Sequence, residues 1–214
     1  MRTNNTNTEK KVPYLSLDEG QLLIRVARQA VSARLENMRL AMPQTTDTLK
    51  RKSGVFVTIN RAHPRELRGC IGFPYPTLPL LEATIRAAIS SATEDPRFES
   101  VSLREFQENI VLEVTVLTPP ETLRFDDRRK IPTLITVGRH GLIVEGHGTS
   151  GLLLPQVAVE WNWDSTDFLS NCCIKAGLPP DYWLLDGTTI KVFEGEIFEE
   201  IKPGGEVRRK PNGD

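Results

Sequence analysis

A chain of 214 residues that is 39% hydrophobic and 26% charged can bury a full core as one domain. Its net charge of −1 lacks the basic excess on which dedicated nucleic-acid binding rests, and no apolar run reaches membrane-spanning length. The polar start Met1-Arg2-Thr3-Asn4-Asn5 has no apolar signal core, and three cysteines do not make a secreted disulfide framework, so a reducing, cytoplasmic setting is expected.

Residues 1–13 are rich in Asn, Thr and Lys and offer little apolar surface against the entropy of ordering, so a disordered tail is expected there. Ser16-Leu17-Asp18-Glu19 has the form of a capping box. Leu22, Leu23, Val26, Ala27, Ala30, Val31, Leu35 and Met38 then recur at helical spacing, which predicts a long amphipathic helix with one buried face. A β-branched run at 55–59 predicts a strand, 60–65 a turn carrying His63-Pro64, and 66–71 the returning arm of a hairpin. Phe73-Pro74-Tyr75-Pro76 is a stiff connector. Thr77 is the expected cap of a helix whose stripe is Leu81, Ile85, Ala88, Ile89 and Ala92.

After the loop Asp95-Pro96-Arg97-Phe98, Ser102-Leu103-Arg104-Glu105 reads as a second capping box and a short helix. The strand at 110–117 places Val111, Glu113, Thr115 and Leu117 on one face and Ile110, Leu112, Val114 and Val116 on the other. The charge run at 124–130 reads as a solvated loop, and 133–137, 141–145 and 151–154 as a meander of short strands. Pro155 suits the first position of a helix that turns Val157, Ala158 and Trp161 inward. Asp164 caps another helix, with Phe168, Leu169, Cys172 and Ala176 along its stripe and Gly177 at its stop. Alternation around Ile190, Val192, Ile197 and Phe198 gives a last strand at 189–201, and 202–214 reads as a loose tail. Strands and helices mix without a strict βαβ rhythm. The fold class that follows is α+β, with a mixed or largely antiparallel sheet flanked by helices.

Cys70 is the leading chemical candidate, as a thiolate nucleophile or redox group with Arg68 beside it on the same face by strand alternation. The competing reading is a buried small hydrophobe. Gly69 and Gly72 allow a sharp turn or the close approach of a ligand. Arg97 could clamp an anionic ligand bidentately, and Asp95 could cap or anchor its loop or pair with an arginine across a cleft; the competing reading is a structural ion pair that staples the loop. Glu113 interrupts an apolar strand and needs a partner, which Arg68 or Arg97 could supply. Gln156 and Glu160 share one side of a helix near Trp161 and Trp163, as part of a polar-aromatic pocket or as a surface dyad. Helical spacing puts at least one of Cys172 and Cys173 in packing. His63, His140 and His147 lack zinc-site spacing, so neither metal nor cofactor is expected.

Leu67-Arg68-Gly69-Cys70-Ile71-Gly72, Asp95-Pro96-Arg97-Phe98 and Leu152-Leu153-Leu154-Pro155-Gln156-Val157 occur in that order. On these motifs the chain resembles the AMMECR1-domain family over nearly everything between its polar tails, as a prokaryotic or archaeal member. The resemblance implies a single domain over 14–201, with a larger α+β lobe, a smaller β-rich lobe placed at about 119–150, and the Leu-Arg-Gly-Cys motif near the cleft. AMMECR1-like domains occur joined to Memo-like and radical-SAM-like domains, which implies protein partners of those classes. The resemblance implies no particular reaction. The first reading is an enzyme or enzyme component using Cys70 on a small polar or anionic substrate, with Arg68 and Arg97 holding it. The second is a non-catalytic ligand-binding or adaptor module. Weak nucleic-acid binding through the cleft arginines comes third.

Overall fold

Helix α1, Leu17–Leu35, starts at the capping box read from the sequence: Ser16 Oγ accepts from Glu19 N at 3.2 Å, and the Glu19 carboxylate accepts from Ser16 N at 2.9 Å. The computed structural model describes residues 14–210, so the tail expected at 1–13 and residues 211–214 lie outside the described residues. Leu23, Val26, Ala27, Ala30 and Val31 form the buried stripe of α1. Met38 does not extend it. Asn37 takes a left-handed φ of 55° and turns the chain away, leaving Met38 66% exposed.

The elements that follow are α2 (Asp47–Lys50), β1 (Val55–Arg61), β2 (Glu66–Phe73), α3 (Leu80–Thr93), α4 (Leu103–Asn109), β3 (Ile110–Leu117) and β4 (Glu121–Thr122). Then come β5 (Gly141–Gly146), β6 (Thr149–Leu153), α5 (Pro155–Glu160), α6 (Ser165–Lys175), β7 (Thr189–Phe193), β8 (Gly195–Glu200) and β9 (Val207–Lys210). Helix α3 starts behind Pro79 with no side-chain cap, so the cap expected of Thr77 is not made. Its buried stripe runs through Leu81, Ala88 and Ala92 as expected, but Ile85 and Ile89 are only half-buried.

Two antiparallel sheets organise the described residues, in the orders β2-β1-β3-β8-β9 and β4-β7-β5-β6. With the helices, this is an α+β fold. The first sheet presents Val57, Ile59, Leu112, Val114 and Phe198 to the core it shares with α1 and α3. In the second, Leu142, Val144 and Ile190 pack against Phe168, Leu169 and Cys172 of α6.

Several sequence expectations change here. Residues 128–134 wind as a 3-10 helix capped by Asp127, so the strand expected at 133–137 is not formed. Arg128, read as part of a solvated charge run, donates to the carbonyls of Trp183 and Thr188. Trp161 does not pack inward; it is 68% exposed and stacked on Trp163.

The stretch 189–201 is two strands in different sheets, because the chain leaves the second sheet at Phe193 and joins the first at Gly195. Glu194, at this crossing, donates its N–H to Thr118 Oγ1 at 2.9 Å, and its carbonyl accepts from Thr118 N at 2.8 Å. Thr118 lies on the outward crossing from β3, so both passages between the sheets run side by side. Strands of the second sheet extend from Glu121 to Phe193, so 119–150 holds only part of it. Residues 207–210, expected in a loose tail, form edge strand β9, which Arg208 and Arg209 bind to Glu199 and Glu196 on β8.

Candidate functional site

Strand pairing aligns Cys70 of β2, Thr58 of β1, Glu113 of β3, Glu199 of β8 and Arg208 of β9 in one row across the first sheet. The neighbouring row is Gly72, Phe56, Thr115, Ile197 and Lys210. Directly paired residues share a face, and this face is opposite the α1–α3 core. A cleft of about 710 Å³ opens over it. Phe56, Thr58, Cys70, Glu113, Ile197 and Lys210 are on the first-sheet side. Residues 136–139 and the α5 residues Gln156, Val159 and Glu160 form the opposite wall.

Cys70 is half-buried in this cleft, with Thr58 Oγ1 3.2 Å from its Sγ. Burial pushes its thiol pKa up. The Thr58 hydroxyl and the Arg97 guanidinium pull the other way without cancelling that shift, while Glu113 and Asp95 add to it. The thiol is therefore neutral at neutral pH, against the expectation of an activated thiolate.

Arg68 does not stand beside it. Cys70 pairs with Thr58 and Gly69 with Ile59, but Leu67 pairs with Asn60, so Arg68 is the extra residue of a β-bulge. A bulge breaks the two-residue alternation on which the shared-face expectation rested. Arg68 is 8% exposed and donates to the Glu105 carboxylate at 2.9 Å and to the Glu99 carbonyl at 2.7 Å, beneath Phe98. It is absent from the cleft lining. Glu105 lies in the first turn of α4, where Ser102 Oγ accepts its N–H, and its carboxylate is shared by Arg68 at 2.9 Å and Arg61 at 3.8 Å.

Asp95 and Arg97 act on the edge of the sheet. The Asp95 carboxylate accepts from Cys70 N at 2.8 Å and from Arg97 N, Nε and Nη2 at 2.8–3.1 Å. Arg97, followed by these backbone bonds, holds the carboxyl well below the usual carboxylate range. The arrangement covers the outer N–H of edge strand β2, which is the staple reading. Arg97 also reaches the Cys70 carbonyl at 3.3 Å. The two motif glycines serve packing. A Cβ on Gly69 would lie 2.1 Å from the Ser91 carbonyl oxygen, and one on Gly72 would lie 2.4 Å from the Phe56 ring.

Glu113 does face the cleft, 17% exposed, but its partner is Lys210, at 3.6 Å, rather than Arg68 or Arg97. Thr58 and its strand lie between Glu113 and Cys70, which puts the two about two strand spacings, roughly 10 Å, apart. Gln156 and Glu160 are exposed on the far wall. Sequence reasoning missed Phe56, Thr58 and Lys210 as cleft residues. The alternation of 55–59 could have paired Phe56 with Thr58 on one face, but only the sheet register brings Lys210 across.

Among the described residues no group of three or more His, Cys, Asp or Glu could hold a metal, and no helix is long and apolar enough to cross a membrane. Cys172 is fully buried on α6 with its thiol pushed up to about 12, and burial also raises the Cys173 thiol. In alkylation with iodoacetamide, Cys70 is expected to react first and Cys172 last. The Cys70 rate at pH 7 should fall below that of free cysteine and climb as pH rises beyond the ordinary thiol range. A Cys70 rate above that of free cysteine at pH 7 would contradict the neutral thiol.

The chain matches the family model described as AMMECR1 over residues 24–198. It is 52% identical over 197 residues to Protein PH0010 of Pyrococcus horikoshii, covering 90% of this chain and 95% of that protein. It is 49% identical over 197 residues to Protein MK0488 of Methanopyrus kandleri, covering 92% and 95%. The crystal structure of uncharacterized protein PH0010 superposes with a TM-score of 0.72 at 50% identity, covering 93% of this chain and 100% of that one.

Proposed function

The chain belongs to the AMMECR1 family, and on that premise we propose that it is a ligand-binding module that takes a small polar molecule into the cleft between its first sheet and the wall formed by residues 136–139 and α5. The observation that carries this reading is the cleft itself. Its volume of about 710 Å³ lies in the range of small-molecule sites. It combines apolar side chains (Phe56, Leu117, Val137, Leu154, Ile197) with charged and polar ones (Glu113, Arg139, Glu160, Lys210, Thr58, Gln156).

Binding is favoured over nucleophilic catalysis because Cys70 has a raised thiol pKa and Arg68 is turned away to Glu105. A module of this kind would present its ligand to a second protein, of the Memo-like or radical-SAM-like class that the family resemblance implies. Three free cysteines fit an intracellular setting.

A second reading, covalent chemistry at Cys70, is supported by the position of its sulfur in the same cleft. The experiment is a thermal-shift screen of a metabolite library, since a ligand that prefers the folded state raises Tm. At least one compound is expected to raise Tm for the native chain and Cys70→Ser alike, but not for a cleft-filling Thr115→Trp variant. A library with no hit would overturn the binding reading. A compound that forms an adduct with the native chain and loses all effect on Cys70→Ser would establish the covalent one.

A further inference from the structure

The first sheet fixes its carboxylates in two different ways. Glu199 is held by Arg65 at 2.6 Å and Arg208 at 2.7 Å, and Glu200 is held by Arg28. Glu196 is held by Arg209 at 2.8 Å and by the backbone N–H groups of Tyr14 and Leu15. These are short arginine pairs with further donors, the usual form of a structural ion pair. Glu113 differs on each count. Its cation is a lysine, the separation is 3.6 Å, and the pair lies in the cleft rather than in packing.

Lys210 comes from edge strand β9 and pairs with Ile197, so its side chain crosses β8 to reach Glu113 on β3. Both side chains keep partial exposure, 17% for Glu113 and 34% for Lys210. Carboxylate oxygens and ammonium protons therefore remain available to a third group. The other cleft cation, Arg139, is engaged by Glu194 at 3.3 Å.

A carboxylate and an ammonium side by side form a dipole, and the complementary ligand carries the opposite dipole at the same spacing. From this we infer that the cleft takes an α-amino-acid zwitterion, its ammonium on Glu113 and its carboxylate on Lys210. Its side chain lies toward Thr115, Phe56 and Leu117, which continue the cleft away from the ion pair. The inference rests on the cleft reading above and names its ligand class. A ligand with one charge satisfies one partner and strands the other, which is how a paired site discriminates.

The test is calorimetric titration of the full chain with each of the twenty common amino acids. For the tightest one it is repeated with the matching decarboxylated amine, the deaminated acid and the N-acetyl derivative. The zwitterion is expected to bind, and each single-charge analogue to lose at least tenfold. Glu113→Gln should weaken the zwitterion at least tenfold while bringing the deaminated acid close to it. Lys210→Gln should do the same for the amine. Both side chains are partly exposed, and far-UV circular dichroism checks the fold; Lys210, on the edge strand, serves alone if Glu113→Gln does not fold. Binding untouched by either variant, or no binding by any amino acid, overturns the inference. In the second case a hit from the metabolite screen that Thr115→Trp abolishes leaves the cleft reading standing; the absence of any hit removes both.

Discussion

Replacing Glu200 with alanine is expected to lower unfolding stability by roughly 3–5 kcal/mol, the usual cost of removing one partner from a buried ion pair. Glu200 is 2% exposed, and its carboxylate accepts from Arg28 Nε at 2.6 Å and from Leu112 N at 2.9 Å. The bond joins α1 to β8 and closes over β3, three elements distant in the chain. Without it, Leu112 N loses its acceptor. Arg28 keeps only the carbonyls of Phe106 and Ile110 and the Phe106 ring to balance a largely buried charge. Urea denaturation should show the midpoint falling with little change in slope. Two comparisons isolate the cause. Glu82→Ala, which removes an exposed i,i+4 pair with Arg86, should cost less than about 1 kcal/mol. The double variant Arg28→Met with Glu200→Leu should recover much of the single loss, because it removes the stranded charge along with its partner. A loss below 1 kcal/mol in Glu200→Ala would mean that water reaches Arg28 freely, and the α1–β8 seam would then be held by apolar contact alone.

The contrast between that seam and the cleft shows which parts of the molecule local sequence encodes. The Ser16 capping box, the strand at 110–117, Pro155 at its helix start and Asp164 at its cap each depend on a few neighbouring residues, and each forms as read. Glu113 reaches the cleft because alternation within one uninterrupted strand suffices to place it. Arg68 does not, since a single extra residue opposite the Ile59–Asn60 step resets the alternation and nothing in Leu-Arg-Gly-Cys marks it. The run 189–201 carries apolar residues on both sides of Glu194, and the change of sheet there is tied by a hydrogen bond to Thr118, 76 positions earlier. Lys210 lay in a segment whose glycines, proline and charges read as loose, and its strand is fixed by Glu196 and Glu199 on the neighbouring strand β8. Glu113 is thus legible from its own strand, while Lys210 joins it only through a register that is not local.

Gly69→Ala is expected to destabilise the fold by about 3 kcal/mol, at the upper end of the range for overpacking one carbon into a closed core. The new Cβ would sit 2.1 Å from the Ser91 carbonyl oxygen and 3.1 Å from Ile59 Cγ1. The first of these is backbone within α3, so relief requires the helix to move rather than a side chain to rotate. The helix is held at that point, because Ser91 Oγ accepts from Ile71 N at 2.8 Å and lies 2.7 Å from the Val57 carbonyl. Displacing α3 breaks this bridge and opens the contacts of Ala87 and Ala88 with the sheet, so the overlap is converted into lost hydrogen bonds and lost packing together. Gly148→Ala is the control. Gly148 has φ of +75° and nothing within 4 Å of a built Cβ, which leaves only left-handed strain of about 1 kcal/mol. Denaturant midpoints of the two variants should differ accordingly. The Cys70 alkylation rate should rise in Gly69→Ala alone, since the strand carrying the thiol is the one pushed from its helix. Equal costs for the two variants would mean that α3 yields easily, and that the close approach at Gly69 is not what positions Cys70 in the cleft.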